Sequence, residues 1–395
     1  MDATKLALRV VFAALLLAGG ASAKVYVEWR PRMSLMAGYN DNVLLNGTGA
    51  DGLGQAVPGI KLDIFGDHAL HVALDCQAGV ARLAHPESFG FSSGAFAANE
   101  TCTLGTRAHL SPRDKLDVRA SATYAQDPFS IAGFGLLLRP GQNDIFVARF
   151  SGEIQHALSG HSEIDYGAEA QALAFGAGDR GNGYMVAPHL GYAWKTSARS
   201  KWDLSVREQL FFGVGADPNP RAPAGAPGGL LDQAHSLLLG YTYALAPWSS
   251  LTVRAGGVVV TGLNQAAMPT VRFTVESYTP STALSFTLAH DLMIGPISAG
   301  PLVGDVAEVA LIREWEHLSG RARIGVYRNA DVSRAMTLGA LGYGAEAGLG
   351  WKFTRDLRLE LAALRDARLN DVTVAHQVDR NVFQLRLTWE KARFE

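Results

Sequence analysis

From Asn381 to Trp389 the chain alternates without a break, with Val382, Gln384, Arg386, Thr388 and Glu390 on one parity and Phe383, Leu385, Leu387 and Trp389 on the other. A strand with period-two alternation of this kind presents its two faces to different solvents. The dyad recurs upstream. Leu116, Val118, Ala120, Ala122 and Tyr124 oppose Asp117, Arg119, Ser121 and Thr123, and Phe146, Ala148, Phe150 and Ile154 oppose Arg149, Ser151, Glu153 and Gln155. Val271, Phe273 and Val275 oppose Arg272, Thr274 and Glu276, and Leu357, Leu359 and Leu361 oppose Arg358 and Glu360. The pattern predicts an all-β fold, a transmembrane antiparallel β-barrel with lipid outside and water inside. Glu100 and Glu208 fall on the apolar parity of their strands, as positions near an interface or at a bulge would.

Between the alternating segments, short polar turns interchange with longer connections rich in Gly, Pro and Asn. The short turns fall near residues 66–68, 111–115, 158–161, 197–200, 246–249, 278–281, 317–320 and 354–356. The longer connections fall near 41–53, 82–95, 127–142, 176–182, 215–231, 262–270, 293–304, 329–335 and 368–376. This division gives about 18 strands, and an even count returns both termini to one side, the periplasmic side in bacterial single-chain barrels. All 7 tryptophans, Trp29, Trp194, Trp202, Trp248, Trp315, Trp351 and Trp389, lie near a short turn or a chain end, as a girdle at one membrane interface requires. The opposite rim is expected to use Tyr39, Phe129, Phe175, Phe211 and Tyr327.

The first 23 residues place Lys5 and Arg9 before an apolar run that ends in Ala21-Ser22-Ala23, the layout of a cleaved signal peptide. Residues 24–395 then form a single outer-membrane barrel domain, with no plug ahead of it. No later stretch has the ~18 uninterrupted apolar residues of a spanning helix. A net charge of −2 leaves no footprint for nucleic acid. The expected location is the bacterial outer membrane, and the expected partners are its lipids and the barrel assembly machinery.

Little in the chain points to catalysis. The 11 histidines show no HxxxH spacing and the cysteines no CxxC, so neither a metal site nor a cofactor is expected. His161-Ser162 and His235-Ser236 are adjacent pairs, and neighbours on a strand point to opposite faces, so neither works as a nucleophile with its base. Gly339, Gly342, Gly344, Gly348 and Gly350 are spread through a strand rather than gathered in a phosphate loop. Cys76 and Cys102 lie equidistant from residue 89 on neighbouring strands, both on the apolar parity. They are either a cross-strand disulfide formed in the periplasm or two small apolar side chains.

That leaves the lumen. Its expected lining includes Arg119, Arg149, Glu153, Glu169, Arg207, Arg272, Glu276, Glu308, Glu314, Arg321, Arg323, Arg358, Glu360 and Arg386, with Glu308, Glu314 and Glu316 complementary to Arg321 and Arg323. Such mixed signs stiffen a wall by pairing, or wet a channel without holding one ion tightly. Two apolar connections are candidates to fold inward as a gate, 129–140 with Phe129, Phe134, Leu136 and Arg139, and the Pro/Gly-rich 215–230.

The first strand passes through Leu35, Gly38 and Tyr39 into Asn40-Asp41-Asn42-Val43. This Tyr-x-Asp-Asn-aliphatic stretch resembles the outer-membrane barrels of exopolysaccharide and capsule export machineries. The resemblance implies a non-enzymatic channel for a secreted polysaccharide, served by a periplasmic polysaccharide export protein. A general or small-solute diffusion porin is the alternative, followed by a structural or adhesive barrel or an outer-membrane enzyme. Phe383, Leu385, Leu387 and Trp389 also resemble the terminal signal that bacterial barrels present for assembly.

Overall fold

The computed structural model describes residues 25–41, 50–66, 69–85, 97–125, 145–175, 183–213, 230–262, 265–294, 301–331, 339–371, 378–391 and 393–394. Every regular element among them is a strand. In order they are β1 (Tyr26–Asn40), β2 (Asp51–Phe65), β3 (His71–Leu83), β4 (Ala97–His109), β5 (Asp114–Ala125), β6 (Ile145–Ala157), β7 (Ser162–Phe175), β8 (Gly183–Lys195), β9 (Ser200–Gly213) and β10 (Leu230–Ala246). There follow β11 (Ser249–Gly262), β12 (Ala266–Thr279), β13 (Thr282–Ile294), β14 (Pro301–Glu314), β15 (Leu318–Asp331), β16 (Gly339–Lys352), β17 (Leu357–Asp371), β18 (Val378–Glu390) and the stub β19 (Arg393–Phe394).

From β1 to β18 each strand pairs antiparallel with its sequence neighbours, and β1 closes the ring on β18 from Arg32↔Glu390 to Asn40↔Val382. The stub β19 continues the seam against Glu28 and Trp29. The result is a closed 18-strand antiparallel barrel with no exposed long edge. The start of β1 and the end of β18 lie at the rim that carries the short turns.

Exposure separates the two faces. Leu190 (57%), Val206 (54%), Ile324 (59%) and Leu349 (60%) stand out from the wall on one parity. Asp63, Asp203 and Gln209 are buried on the other. A closed barrel satisfies every ladder hydrogen bond internally, which lets β-structure with an apolar exterior cross hydrocarbon. This is the architecture of a bacterial outer-membrane protein.

The short turns share a hydroxyl device. Ser111 Oγ accepts from the backbone N–H groups of Arg113 and Asp114 at 3.1 and 3.0 Å. Ser159 does so for His161 and Ser162, and Thr354 for Asp356 and Leu357. The side chain satisfies donors that a tight reversal leaves unpaired. Tryptophans gather at the same rim, with Trp194 and Trp202 stacked at 6.4 Å and Arg313 over the Trp315 ring at 5.4 Å. At the opposite rim Tyr39 faces outward, but Phe211 and Tyr327 do not belong to a girdle. They lie on the inner parity at 0% and 3% exposure. Phe129 and the side chain of Phe175 lie outside the described residues.

Several strands run further than their composition predicts. β12 begins at Ala266 and β14 at Pro301, inside segments expected to be connections. Proline and glycine are turn signals in water, yet a barrel tolerates proline where the ladder can skip a bond. At Pro58 the β2–β3 pairing passes from Ala56↔Val80 to Gly59↔Gln77, and at Pro188 the β8–β9 pairing passes from Val186↔Leu210 to His189↔Arg207.

Cys76 and Cys102 are direct cross-strand partners of β3 and β4 on the outward face, 4.1 Å apart at Cα and joined by a disulfide. The bridge closes a chain separation of 26 residues. Changing both cysteines to serine should lower stability by up to about 3 kcal/mol, the loop-closure entropy returned to the unfolded chain. Urea titration followed on semi-native gels checks this, and an unchanged midpoint would show that the neighbouring ladders already hold the hairpin.

A candidate permeation lumen

Because partners across a ladder share a face, one inward residue fixes the inward set on every strand. Starting from Arg32 on β1, the pairing carries the inner face through Gly59 to Gln77, Thr101 and Thr123, and in the other direction to Glu390. All fourteen of the candidate lining residues fall on this inner parity.

Nine of them belong to a band of ion pairs between the short-turn rim and mid-wall. Asp117 receives both Arg107 and Arg119 at 2.9 Å, Arg207 reaches Glu169 at 2.5 Å, and Arg272 reaches Asp291 at 3.2 Å. Arg323 bonds Glu308 at 2.6 Å, and Lys352 meets Glu314 at 3.1 Å. Arg321 turns away from β14 to Glu346 at 2.8 Å and also to Glu360. The expected complementarity of β14 and β15 therefore holds for one pair. Glu316 lies in the β14–β15 turn, exposed beside His317 at 3.8 Å.

The remaining candidates have quieter surroundings. Glu153 accepts from Gln155 at 2.7 Å, Arg358 donates to Ser319 at 2.8 Å, and Arg386 packs beside Met36 Sδ at 3.7 Å, opposite Glu360. Glu276 shares the inner face with Tyr278 near the rim. Arg149, set between Ser121 and Gln171, makes no hydrogen bond or ion pair among the described residues. Glycine makes room at two inward carboxylates, since a Cβ at Gly240 would collide with Asp203 and one at Gly191 with Asp165.

Two cavities open on this wall. One of about 300 Å³ brings together Arg321, Glu346 and Arg386 with Ser34, Gln55, Gln77 and Gln384. The other, of about 820 Å³, is lined by Lys61, His71, Asp75, Arg107, Asp117, Arg119, Arg149 and Glu169. Lys61, Arg32 with Asp75, and Arg107 were not among the expected lining. The signal for Arg32 was present, as Glu28, Arg30, Arg32 and Ser34 alternate with Trp29, Met33 and Leu35.

Toward the long-connection rim the inner face changes character. Met36, Leu53, Ala81, Leu83 and Val382 form one buried cluster, and Met185, Phe211, Ala234, Val258, Val260 and Leu292 take part in another. Beside them lies a buried polar group. Tyr327 donates to Asp366 at 3.1 Å, and Arg380 stands 3.7 Å from the same carboxylate. The gate candidates Phe129, Phe134, Leu136 and Arg139, and residues 215–229, lie outside the described residues.

Within the Tyr-x-Asp-Asn-aliphatic stretch, whose Asn42 and Val43 lie outside the described residues, Asp41 has a local structural task. Asp41 accepts from the backbone and side chain of Asn381 at 2.7 and 2.6 Å, tying β1 to β18 at the far end of the seam.

No protein-family model matches the chain, and no curated protein matches its sequence. Among solved structures, OpdK of Pseudomonas aeruginosa, crystallised with vanillate, is similar over 93% of this chain and 99% of that one, at 11% identity and a TM-score of 0.47. OccK2 (OpdF) of the same organism, in complex with glucuronate, is similar over 93% and 98%, at 9% identity and a TM-score of 0.47. A BenF-like porin from Pseudomonas fluorescens covers 94% and 99%, at 9% identity and a TM-score of 0.45. At these values the likeness is one of barrel architecture, and it says nothing of what this lumen passes.

Proposed function

We propose that the chain is a passive, non-enzymatic outer-membrane channel for small hydrophilic solutes, with both termini and the short turns on the periplasmic side. The observation that carries this reading is the inner wall itself, a band of paired charges of both signs around cavities of about 300 and 820 Å³. Those volumes suit single small molecules. Balanced donors and acceptors wet a pathway without trapping a permeant ion.

Passage of a polysaccharide, implied by the resemblance at Tyr39 to Val43, has less support. A sugar chain moves along stacking surfaces, and the described aromatic rings of mid-wall strands, such as Phe150, Tyr166, Tyr192 and Phe273, lie on the outward parity. Of the residues of the resemblance, Tyr39, Asn40 and Asp41 serve the seam.

Liposome swelling tests the proposal. Vesicles carrying the purified barrel should admit a pentose readily and exclude a tetrasaccharide, and no swelling with either would overturn the channel reading. In the same vesicles Arg149→Ala should shift the reversal potential toward cations and leave urea stability within about 0.5 kcal/mol, as expected of a side chain without a protein partner.

A further inference from the structure

Toward the long-connection rim, charge returns to the outer face of the barrel. On β15 the outward residues Leu318, Ile324 and Val326 are apolar, and the next outward position is Arg328. The ten residue steps from Leu318 to Arg328, on a strand tilted by ~40° and rising ~3.3 Å per residue, climb roughly 25 Å, the height of a barrel's apolar band. Arg328 therefore stands where acyl chains give way to headgroups. His290, Asp305 and Arg328 are successive cross-strand partners on β13, β14 and β15. His290 Nδ1 lies 2.5 Å from Asp305. Further round, Arg365 on β17 donates to Tyr343 Oη at 3.2 Å and pairs with Asp379 at 2.6 Å, with both charged groups about half exposed.

We infer that this outward sector of β13–β18 is a binding site for a phosphorylated glycolipid of the outer leaflet. Arg328 is exposed and makes no hydrogen bond or ion pair among the described residues. A guanidinium at headgroup height offers a planar fork matched to a phosphate. Arg365, held in place by Tyr343 and Asp379, adds a second guanidinium. The neighbouring carboxylates of Asp305 and Asp379 and the Tyr343 hydroxyl suit sugar hydroxyls, which a plain phospholipid lacks. The apolar residues below Arg328 receive the acyl chains. The site rests on the orientation proposed above, with the long-connection rim facing outward.

Native mass spectrometry of the detergent-solubilised barrel tests the site, with three probes: a bisphosphorylated diglucosamine lipid, its dephosphorylated form and phosphatidylglycerol. The wild-type protein should retain the first about tenfold better than the other two, and the doubly substituted R328A/R365A protein should lose that preference. Glu100→Gln, at the same level on β4, should leave it intact and controls for general perturbation. Equal retention by wild type and R328A/R365A, or equal retention of all three lipids, would overturn the site. Orientation is read separately by labelling a Ser197→Cys short-turn variant on intact cells with an impermeant maleimide. Labelling there would overturn the outer-leaflet assignment while leaving the channel reading to the swelling assay.

Discussion

Asp366→Ala should destabilise the barrel by about 3–5 kcal/mol, the usual penalty for stranding one member of a buried ion pair. Asp366 and Arg380 are direct cross-strand partners of β17 and β18, at 4% and 2% exposure. The guanidinium lies 3.7 Å from the carboxylate, and Tyr327 donates to the same group at 3.1 Å. Alanine removes a counter-charge of Arg380 and an acceptor of Tyr327 together. The pocket cannot easily rearrange, because Tyr327 already fills the space over Gly342, where an added Cβ would meet its hydroxyl at 2.5 Å. Urea midpoints on semi-native gels measure the effect. Asp366→Asn, which keeps an acceptor for Tyr327 but not the charge, should fall between wild type and Asp366→Ala. Equal midpoints for all three proteins would mean that the Arg380 charge is held by other groups.

The largest functional change is expected from Glu360→Gln. Glu360 bonds Arg321 and stands across the β17–β18 ladder from Arg386, with Arg358 on the same face of its own strand. The substitution keeps the shape and leaves this part of the wall with an excess of guanidinium. Removing a unit charge ~5 Å from a permeating ion in water-like surroundings changes its energy by about 0.8 kcal/mol, or roughly fourfold in partitioning. The anion-to-cation permeability ratio, read from reversal potentials in a salt gradient, should rise by about that factor. Glu314→Gln, whose partner Lys352 sits nearer the short-turn rim, should change it less. A ratio that does not move for Glu360→Gln would place this cluster off the permeation path.

The parity of side chains was legible throughout the lower wall because the two solvents differ most there. Arg358 and Glu360 against Leu359 and Leu361 can be read only one way. Toward the long-connection rim the inner face itself becomes apolar, as at Met36, Leu53, Val258 and Val260, so both faces of a strand look alike and the alternation fades. That is why segments near 262–270 and 293–304 read as connections when β12 and β14 begin within them. For the same reason Phe211 and Tyr327 read as girdle aromatics, since an apolar ring on either face gives the same local pattern. Partner choice was harder still. Arg321 bonds across β16 to Glu360 rather than back to β14, a choice set by strand stagger and side-chain length.

The seam between β1 and β18 has a consequence for biogenesis. Its nine paired residues, from Arg32↔Glu390 to Asn40↔Val382, join the first strand made to the last long one. Until the C-terminal strand is available, β1 keeps an unsatisfied edge of backbone donors and acceptors, and such edges recruit other chains. The newly exported polypeptide therefore carries its greatest aggregation hazard in the interval before closure. A holdase that shields β1, or an insertion apparatus that occupies that edge and hands it to β18, would remove the hazard by substituting one strand partner for another.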